Sequence, residues 1–324
     1  MKRISLLMTL ILGVITFTDT LSQGKVSKNK KAIINSLEAH KDRLIEISDN
    51  IWEAAEPALL EFKSSKYLSD YAEENGFRVT RSVAEIPTAF VAEFGSGKPV
   101  IGILGEFDAN PGISQKKQPT KDPLVKGAAG HGCGHNLYGT GSLGAAIAIK
   151  EMIESGEISG TVRFYGTPAE ETIFAKVWMV RAGLFDDVDV CMDWHPSDEV
   201  EAATQSSKAL VDFRLRFYGD ASHASGDPWN GNSAVDAMEL YTTGLNYYRE
   251  HVRPTARIHY DIEKAGDVVN VVPDFAQIWT RLRENDKENV NILYERAKKM
   301  AEAASMMANV DYEREPISGI YEIM

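Results

Sequence analysis

The feature that most constrains the fold is the alternation of strand-like apolar runs with helical patterns between residues 78 and 194. The runs "RVTRSV", "TAFVAEF", "PVIGILGEFD", "TVRFYG" and "DVDVCMDW" predict strands. Residues 137–154 are rich in Ala, Leu and Ile and predict a buried helix, and "FAKVWMVRAGLF" predicts another. Such alternation predicts an α/β domain in which helices flank a largely parallel mixed sheet.

Two helical patterns precede the first of these strands. Apolar residues follow a helical stripe over residues 30–54, and His40 on this helix is predicted to lie at the surface. The segment "SSKYLSDYAEENGF" predicts a second helix that begins at a serine cap and ends just before Gly76.

The pattern changes near residue 205. The predicted order becomes strand, helix, strand, strand, helix, strand, and the last strand is "NVDYEREP". This order predicts a compact α+β sandwich of the ferredoxin-like type. We therefore expect a first domain over residues 24–205 and a second over residues 206–315.

The first 23 residues have the layout of a secretory signal peptide. Lys2 and Arg3 precede an apolar run from Ile4 to Phe17, which is short for a membrane span, and a polar stretch follows. We expect these residues to be removed, so that the mature chain is periplasmic or secreted and has no membrane partner.

Composition excludes some partners. The net charge of −12 argues against nucleic acid and anionic membranes. The two cysteines of an exported chain could form a disulfide, but Cys191 lies in an apolar run and Cys133 in a glycine-rich loop. Nothing in the sequence requires the two to meet.

The glycine-rich loop carries potential metal ligands. In "GHGCGHNL", His131, Cys133 and His135 alternate with glycines. Cys133 and His135 would face the same way on an extended segment. A thiolate and an imidazole suit Zn²⁺, and nickel, cobalt or manganese remain compatible. Taken alone, the pair is explained better by a turn that buries a cysteine.

Three further groups follow predicted strands. Glu170 and Glu171 are adjacent, so that one could bind a metal while the other accepts a proton from an attacking water. Acidic residues at a helix start would give the same pattern. His195 ends another strand, and Glu106 and Asp108 end a third. The ends of parallel strands are where ligands bind in such sheets, so these side chains are expected to gather there.

The segments "GEFDANPG", "GHGCGHNL", "GTPAEE" and "WHP", in this order, resemble the aminoacylase and carboxypeptidase family of binuclear metallopeptidases. The likeness is to its amidohydrolase branch, similar to p-aminobenzoyl-glutamate hydrolase, and covers the chain beyond the leader. It implies a catalytic α/β domain into which a ferredoxin-like dimerisation domain is inserted. It also implies a homodimer formed through residues 206–315.

The resemblance implies two divalent metal ions, with zinc expected. Glu170 matches the general base, and Asp108 matches the acidic residue that supports the metal centre from behind. Glu106 occupies a position where other relatives have a histidine ligand and is left outside the ligand set. The implied ligands are Cys133, His135, Glu171 and His195, and the glycines would let His131, Cys133 and His135 wrap one side of the metal pair.

In the second domain, the resemblance implies that His223 reaches the partner subunit's active site and steadies the oxyanion. Asn270 and Arg283 match residues that bind the substrate. The implied reaction is hydrolysis of the amide bond of an N-acyl or N-aroyl amino acid, such as p-aminobenzoyl-glutamate, or of a dipeptide.

The match breaks at the end of the sequence. Residues 316–324 correspond to the start of a return to the catalytic domain, whose remaining part would carry one more metal-binding histidine. The sequence is therefore expected to be C-terminally truncated. Alternatives left open are an inactive pseudo-enzyme that binds ligand or dimerises, a metal-storage protein, and an exopeptidase.

Overall fold

The structure is a computed structural model that describes residues 26–200, 202 and 206–322. The predicted signal peptide lies outside the described residues. The elements in chain order are α1 (Lys28–Ala54), α2 (Phe62–Glu74), β1 (Arg78–Arg81), β2 (Phe90–Ser96), β3 (Val100–Gly105), α3 (His135–Glu154), β4 (Gly160–Gly166), α4 (Ala175–Arg181), β5 (Val190–Met192), β6 (Ala209–Tyr218), α5 (Ala234–Tyr248), β7 (Arg257–Ala265), β8 (Phe275–Glu284), α6 (Lys287–Ala308) and β9 (Asp311–Ile320).

The first sheet has the strand order β1-β2-β4-β3-β5. Strand β3 pairs in parallel with β4 and β5, whereas β2 pairs antiparallel with β1 and β4. The predicted mixed α/β architecture is confirmed, with its parallel part confined to three strands. Strands β3 and β4 end side by side at Gly105 and Gly166, so the residues that follow them emerge at the same edge.

Helices α2 and α3 pack against the first sheet, and α1 packs against these two helices. Their apolar faces and the sheet's inner side chains form one buried core, which includes Ile47, Ile51, Leu68, Phe90, Phe107, Leu143, Ile147 and Phe164. Burial of such side chains contributes roughly 1.5–3 kcal/mol each, so this core fixes where α3 meets the end of β3.

The second sheet has the order β7-β8-β6-β9, and all its pairings are antiparallel. This is the strand order of the ferredoxin-like sandwich that the sequence predicts. Helices α5 and α6 cover one face over a core that includes Phe213, Leu215, Phe217, Tyr241, Ile278 and Leu282. Alternation along β8 therefore turns Trp279, Arg281 and Arg283 to the other face.

Two local predictions about the first two helices are wrong. Helix α2 has no serine cap, because the carboxylate of Glu56 accepts the N–H groups of Lys63 and Ser64 at 3.1 and 2.9 Å. His40 is not a surface residue: its ring nitrogens lie 2.6 Å from the Tyr71 hydroxyl and 3.0 Å from Glu151.

The last strand runs past residue 316, where the sequence pattern ended it. Strand β9 stays paired with β6 up to the partners Leu210 and Ile320, after a register shift near Pro316. A proline cannot donate a ladder hydrogen bond, and the shift accommodates it. None of the helices in the described part of the chain is long and apolar enough to cross a membrane.

Candidate metal centre

Helix α3 and the end of β3 meet at the candidate site. A Cβ added to Gly139 would lie 2.5 Å from the Glu106 carbonyl oxygen, so only glycine allows the helix to lie this close. The side chains of Glu106 and Asp108, directly after β3, are buried beneath the first turn of α3.

The prediction that Cys133 and His135 lie on an extended segment is wrong. His135 is the first residue of α3, and Gly134 before it turns the chain at a φ of +73°. A positive φ is readily adopted by glycine alone, which is the physical reason for a glycine here. Cys133 and His135 converge through this turn and not through strand alternation.

Two carboxylates face the ring of His135. Its Nδ1 lies 3.0 Å from Asp108 Oδ1. Because a carboxylate only accepts hydrogen bonds, Nδ1 carries a proton, and Nε2 has a free lone pair when the ring is neutral. That Nε2 lies 2.9 Å from Glu106 Oε2 and 3.9 Å from Glu171 Oε1.

These three facing atoms are unpaired. Within the described chain, His135 Nε2, Glu106 Oε2 and Glu171 Oε1 are buried without a hydrogen-bond partner. Lone pairs that face each other in a buried site repel unless a positive charge lies between them. A proton on His135 Nε2 or a metal cation would supply that charge, so the residues present fit a metal centre.

Potential ligand atoms form two overlapping clusters. Cys133, His135 and Glu171 form one, and Glu106, His135 and His195 form the other, with all ligand atoms of a cluster within 4.8 Å of one another. All four ligands implied by the resemblance therefore lie in these clusters, together with Glu106. Their binding of metal stays a prediction.

The negative charge around the first cluster favours a positive charge there, either a proton or a metal ion. Burial, followed by a hydrogen bond and charge from Glu171, raises the pKa of the Cys133 thiol to about 11. Burial alone would lower the pKa of His135, but the hydrogen bond and charge of Asp108 outweigh it and the pKa is raised. Neither Cys133 nor Cys191 forms a disulfide with any described residue.

The turn with Glu170 and Glu171 is held from two sides. Ala169, at a φ of +56°, donates its N–H to Glu61 Oε1 at 2.9 Å. Glu171 donates its N–H to Asp108 Oδ2 at 3.0 Å. Sequence reasoning missed Glu61, for which the only signal is an acidic residue inside the apolar run "ALLEF".

Glu170 has the properties of a base that works near neutral pH. It is half-buried beside the cluster. Burial, followed by the charges of Glu171 and Asp108, raises the pKa of Glu170 to about 7. A carboxyl group with such a pKa is suited to accept and return a proton.

The His195 segment is held by α3. All three residues of β5 are exposed, so this edge strand provides little burial. The Tyr138 hydroxyl donates to Asp193, and Trp194 Nε1 donates to Ser142 Oγ at 2.9 Å. His195 Nδ1 donates to the next residue's carbonyl at 3.0 Å, which leaves Nε2 free.

A cavity of about 380 Å³ separates the glutamate turn from the second sheet. Glu170 and Glu171 line one side, and Arg281 and Arg283 line the other. Arg281 is paired with Asp212, because it donates two of its N–H groups to the Asp212 carboxylate at 2.8 and 2.6 Å. Arg283 Nε is buried and has no hydrogen-bond partner among the described residues.

Three candidate residues lie apart from this centre. His131 donates to the Ile51 carbonyl at 3.0 Å and stacks on Trp52, so it does not wrap the metal cluster as expected. His223 and Asn270 lie on adjoining loops, joined by the hydrogen bond from the residue after His223 to Asn270 O at 3.1 Å. Within residues 26–200, 202 and 206–322, no side-chain contact links these two to the cluster.

The chain resembles known proteins both in sequence and in structure. A profile of Peptidase family M20/M25/M40 matches residues 102–316. One subunit of the p-aminobenzoyl-glutamate hydrolase of Escherichia coli (strain K12) is 43% identical over 285 residues, which are 87% of this chain and 59% of that protein. The Xaa-Arg dipeptidase of Mus musculus is 30% identical over 310 residues, which are 91% of this chain and 68% of that protein.

Among solved structures, the Bacillus subtilis YXEP protein is described as a dinuclear metal binding peptidase from the M20 family. It superposes with a TM-score of 0.60 at 22% identity, over 88% of this chain and 76% of that chain. The two chains therefore share a fold. The present chain spans 59% of the length of the Escherichia coli relative.

Proposed function

The chain belongs to peptidase family M20/M25/M40, and on that premise we propose that it is a metal-dependent hydrolase of amide bonds in N-acyl or N-aroyl amino acids. The observation that carries the proposal is the convergence of unpaired ligand atoms at His135 and Glu171 beside the half-buried Glu170. The likeness to a p-aminobenzoyl-glutamate hydrolase supports that substrate as the first to test.

Cys133, His135, Glu171 and His195 would hold two divalent ions, in line with the dinuclear relative. Thiolate and imidazole favour zinc, and manganese, cobalt and nickel suit the same donors. When bound, the ions polarise the amide carbonyl and make a water molecule more acidic. Asp108 fixes the orientation of the His135 ring, which is a common arrangement behind metal-binding histidines.

Glu170 would move the proton. Its carboxylate takes a proton from the attacking water and returns it to the nitrogen of the leaving amine. In the metal-free chain the pKa of Glu170 is raised to about 7, chiefly by burial, and bound cations would lower it toward the range of a carboxylate that is ready to accept a proton. The turn that carries Glu170 is held by Glu61 and Asp108 and so keeps this carboxylate beside the cluster.

Arg283 would bind the substrate's carboxylate, because its side chain lines the cavity opposite Glu170 and its buried Nε has no hydrogen-bond partner among the described residues. A guanidinium group pairs with a carboxylate through parallel hydrogen bonds. His223 Nδ1 accepts the N–H groups of Ser225 and Gly226 at 3.2 and 3.0 Å, so its Nε2–H is free to donate. We propose that His223 and Asn270 act in the partner's site of a homodimer formed through residues 206–315.

The function is tested with the zinc-loaded chain and two substrates. We expect hydrolysis of p-aminobenzoyl-glutamate to exceed that of an Xaa-Arg dipeptide, the substrate class named for the mouse relative. Glu170→Gln should lower kcat by about 10²–10⁴-fold while the bound metal is retained. A chain that binds metal and hydrolyses neither substrate would be the inactive alternative.

Three further expectations concern the oligomeric state, export and the division into domains, and each has a simple test. A mass in solution equal to one chain at working concentration would contradict the homodimer. Export predicts a mature N-terminus near residue 24, which N-terminal sequencing would show. A division into domains near residue 205 predicts that limited proteolysis cleaves there first.

A further inference from the structure

We propose that Glu106 is a metal ligand, and that it holds one of the two ions together with His195 and His135. This role rests on the proposed metal-dependent function and adds a ligand to it. The family resemblance gives Glu106 no ligand role, whereas the structure places its carboxylate in the same cluster as the two histidines.

His135 can bind only one ion. Both clusters contain His135, yet its Nδ1 is occupied by Asp108 and only Nε2 has a free lone pair. One imidazole nitrogen binds one ion. The two clusters therefore cannot each use His135, and an ion at His195 needs a further ligand from the protein.

The distance between Glu106 and His135 is that of two ligands of one ion. Glu106 Oε2 lies 2.9 Å from His135 Nε2. Donor atoms bonded to one ion at about 2.0–2.2 Å lie about 3 Å apart when their bonds form a right angle and about 3.4 Å apart in a tetrahedral site. The spacing of the two unpaired atoms is therefore that of neighbouring ligands, and Cys133 and Glu171 are left to hold the second ion.

The other carboxylate oxygen of Glu106 has a partner of its own. Lys176 Nζ forms an ion pair with Glu106 Oε1. If Glu106 only served as the partner of Lys176, its Oε2 would still be buried and unpaired beside a histidine nitrogen. Lys176 therefore accounts for one oxygen of Glu106, and the other faces His135 Nε2 at 2.9 Å, where a proton on that nitrogen or a shared metal ion would satisfy both atoms.

The test is cobalt(II) binding to the full chain, followed by calorimetry and by the absorption of the bound ion. We expect two ions on the wild-type chain. In Glu106→Gln, one ion should bind at least about tenfold more weakly, while the thiolate-to-cobalt absorption from Cys133 is retained. Glu106→Asp, which keeps the charge, should fall between the two.

Lys176→Met is the matched control, because it removes the ion pair and leaves the carboxylate in place. We expect it to keep both ions. If Lys176→Met weakens binding as much as Glu106→Gln does, Glu106 acts through its ion pair and the proposal is overturned. Thermal melting of each metal-free variant shows whether it is folded.

The outcomes separate this inference from the proposed function. Unchanged binding of every ion by Glu106→Gln overturns the ligand role and leaves the metal-dependent function standing. A single wild-type ion that Glu106→Gln weakens supports the ligand role and contradicts the two-ion centre. A folded wild-type chain that binds no cobalt overturns both.

Discussion

The two histidines of the candidate metal centre are held in opposite ways. His135 is 1% exposed, and carboxylates of the buried residues Glu106 and Asp108 lie within 3.0 Å of its ring nitrogens. His195 is exposed and follows the exposed edge strand β5. We call Glu106, Asp108 and His135 the buried side, and Asp193, Trp194 and His195 the exposed side.

The difference shows which contacts hold each side of the site in place. The buried side is fixed by the core, because helix α3 lies against the end of β3 and no group there moves without disturbing packing. The exposed side is fixed by two hydrogen bonds from Tyr138 and Ser142 on the same helix. Changes on the buried side should therefore have larger effects than changes on the exposed side.

The largest effect is expected at Glu61, which supports the glutamate turn from the core. Burial raises the pKa of Glu61 to about 7 from its ordinary 4.5. The folded chain thus binds more protons than the unfolded chain between these pH values, and the free energy of unfolding falls as pH rises through this window. The difference in pKa corresponds to about 3 kcal/mol.

Urea unfolding of the metal-free chain at pH 5 and pH 7.5 measures this loss of stability. Glu61→Gln carries no charge at either pH and should remove about half of the loss, because the pKa of Glu170 is also raised to about 7 and contributes over the same window. If Glu61→Gln loses as much stability between pH 5 and pH 7.5 as the wild-type chain does, other groups cause the pH dependence. That result would contradict the raised pKa of Glu61.

The second effect is expected for Asp108→Asn. Asp108 accepts from the His135 ring and from the N–H of Glu171, and an amide has only one acceptor oxygen for the two donors. We expect metal affinity to fall about 10–100-fold, as for other groups that orient a ligand. Calorimetric titration with zinc checks this, and affinity within twofold of wild type would contradict the role of Asp108.

A smaller effect is expected for Tyr138→Phe on the exposed side. The lost hydroxyl donates to Asp193, which is exposed, so water can replace it. We expect the ion at His195 to bind at most about tenfold more weakly, a cost of up to about 1.4 kcal/mol. The absorption of cobalt bound to Cys133 should be unchanged. If the ion at Cys133 is weakened more than the ion at His195, the exposed side does not act mainly on the ion at His195.

The smallest effect is expected for Ser142→Ala. Its hydroxyl accepts from Trp194 Nε1, and Trp194 is 45% exposed, so its N–H can turn to water. Metal affinity should stay within about twofold of wild type. A loss as large as that of Asp108→Asn would show that the exposed side is as strictly positioned as the buried side.

Much of the fold and part of the site follow from local patterns. The ends of the predicted strands indicated where Glu106, Asp108, Glu170 and Glu171 emerge. This is because parallel strands of one sheet end at the same edge. The ferredoxin-like order of the second sheet also followed from the order of its predicted elements.

Other features depend on contacts between distant segments. Glu61 reaches Ala169 across 108 positions, and no local pattern marks that contact. Helix α3 begins at His135 because Gly134 makes a left-handed turn just before it. A sequence in which every second residue is glycine does not show whether the segment turns in this way or forms a strand. In the sequence, Glu106 is an ordinary acidic residue at a strand end. Only the structure shows that one of its carboxylate oxygens is buried without a hydrogen-bond partner beside His135.

The most direct test of the metal centre is the metal content of the purified chain after dialysis, compared with that of His135→Gln. The buried side predicts two ions per wild-type chain and the loss of at least one in the variant, while both proteins remain folded. Less than one ion on a folded wild-type chain would contradict the account, because the unpaired atoms of Glu106, His135 and Glu171 would then face one another without a cation.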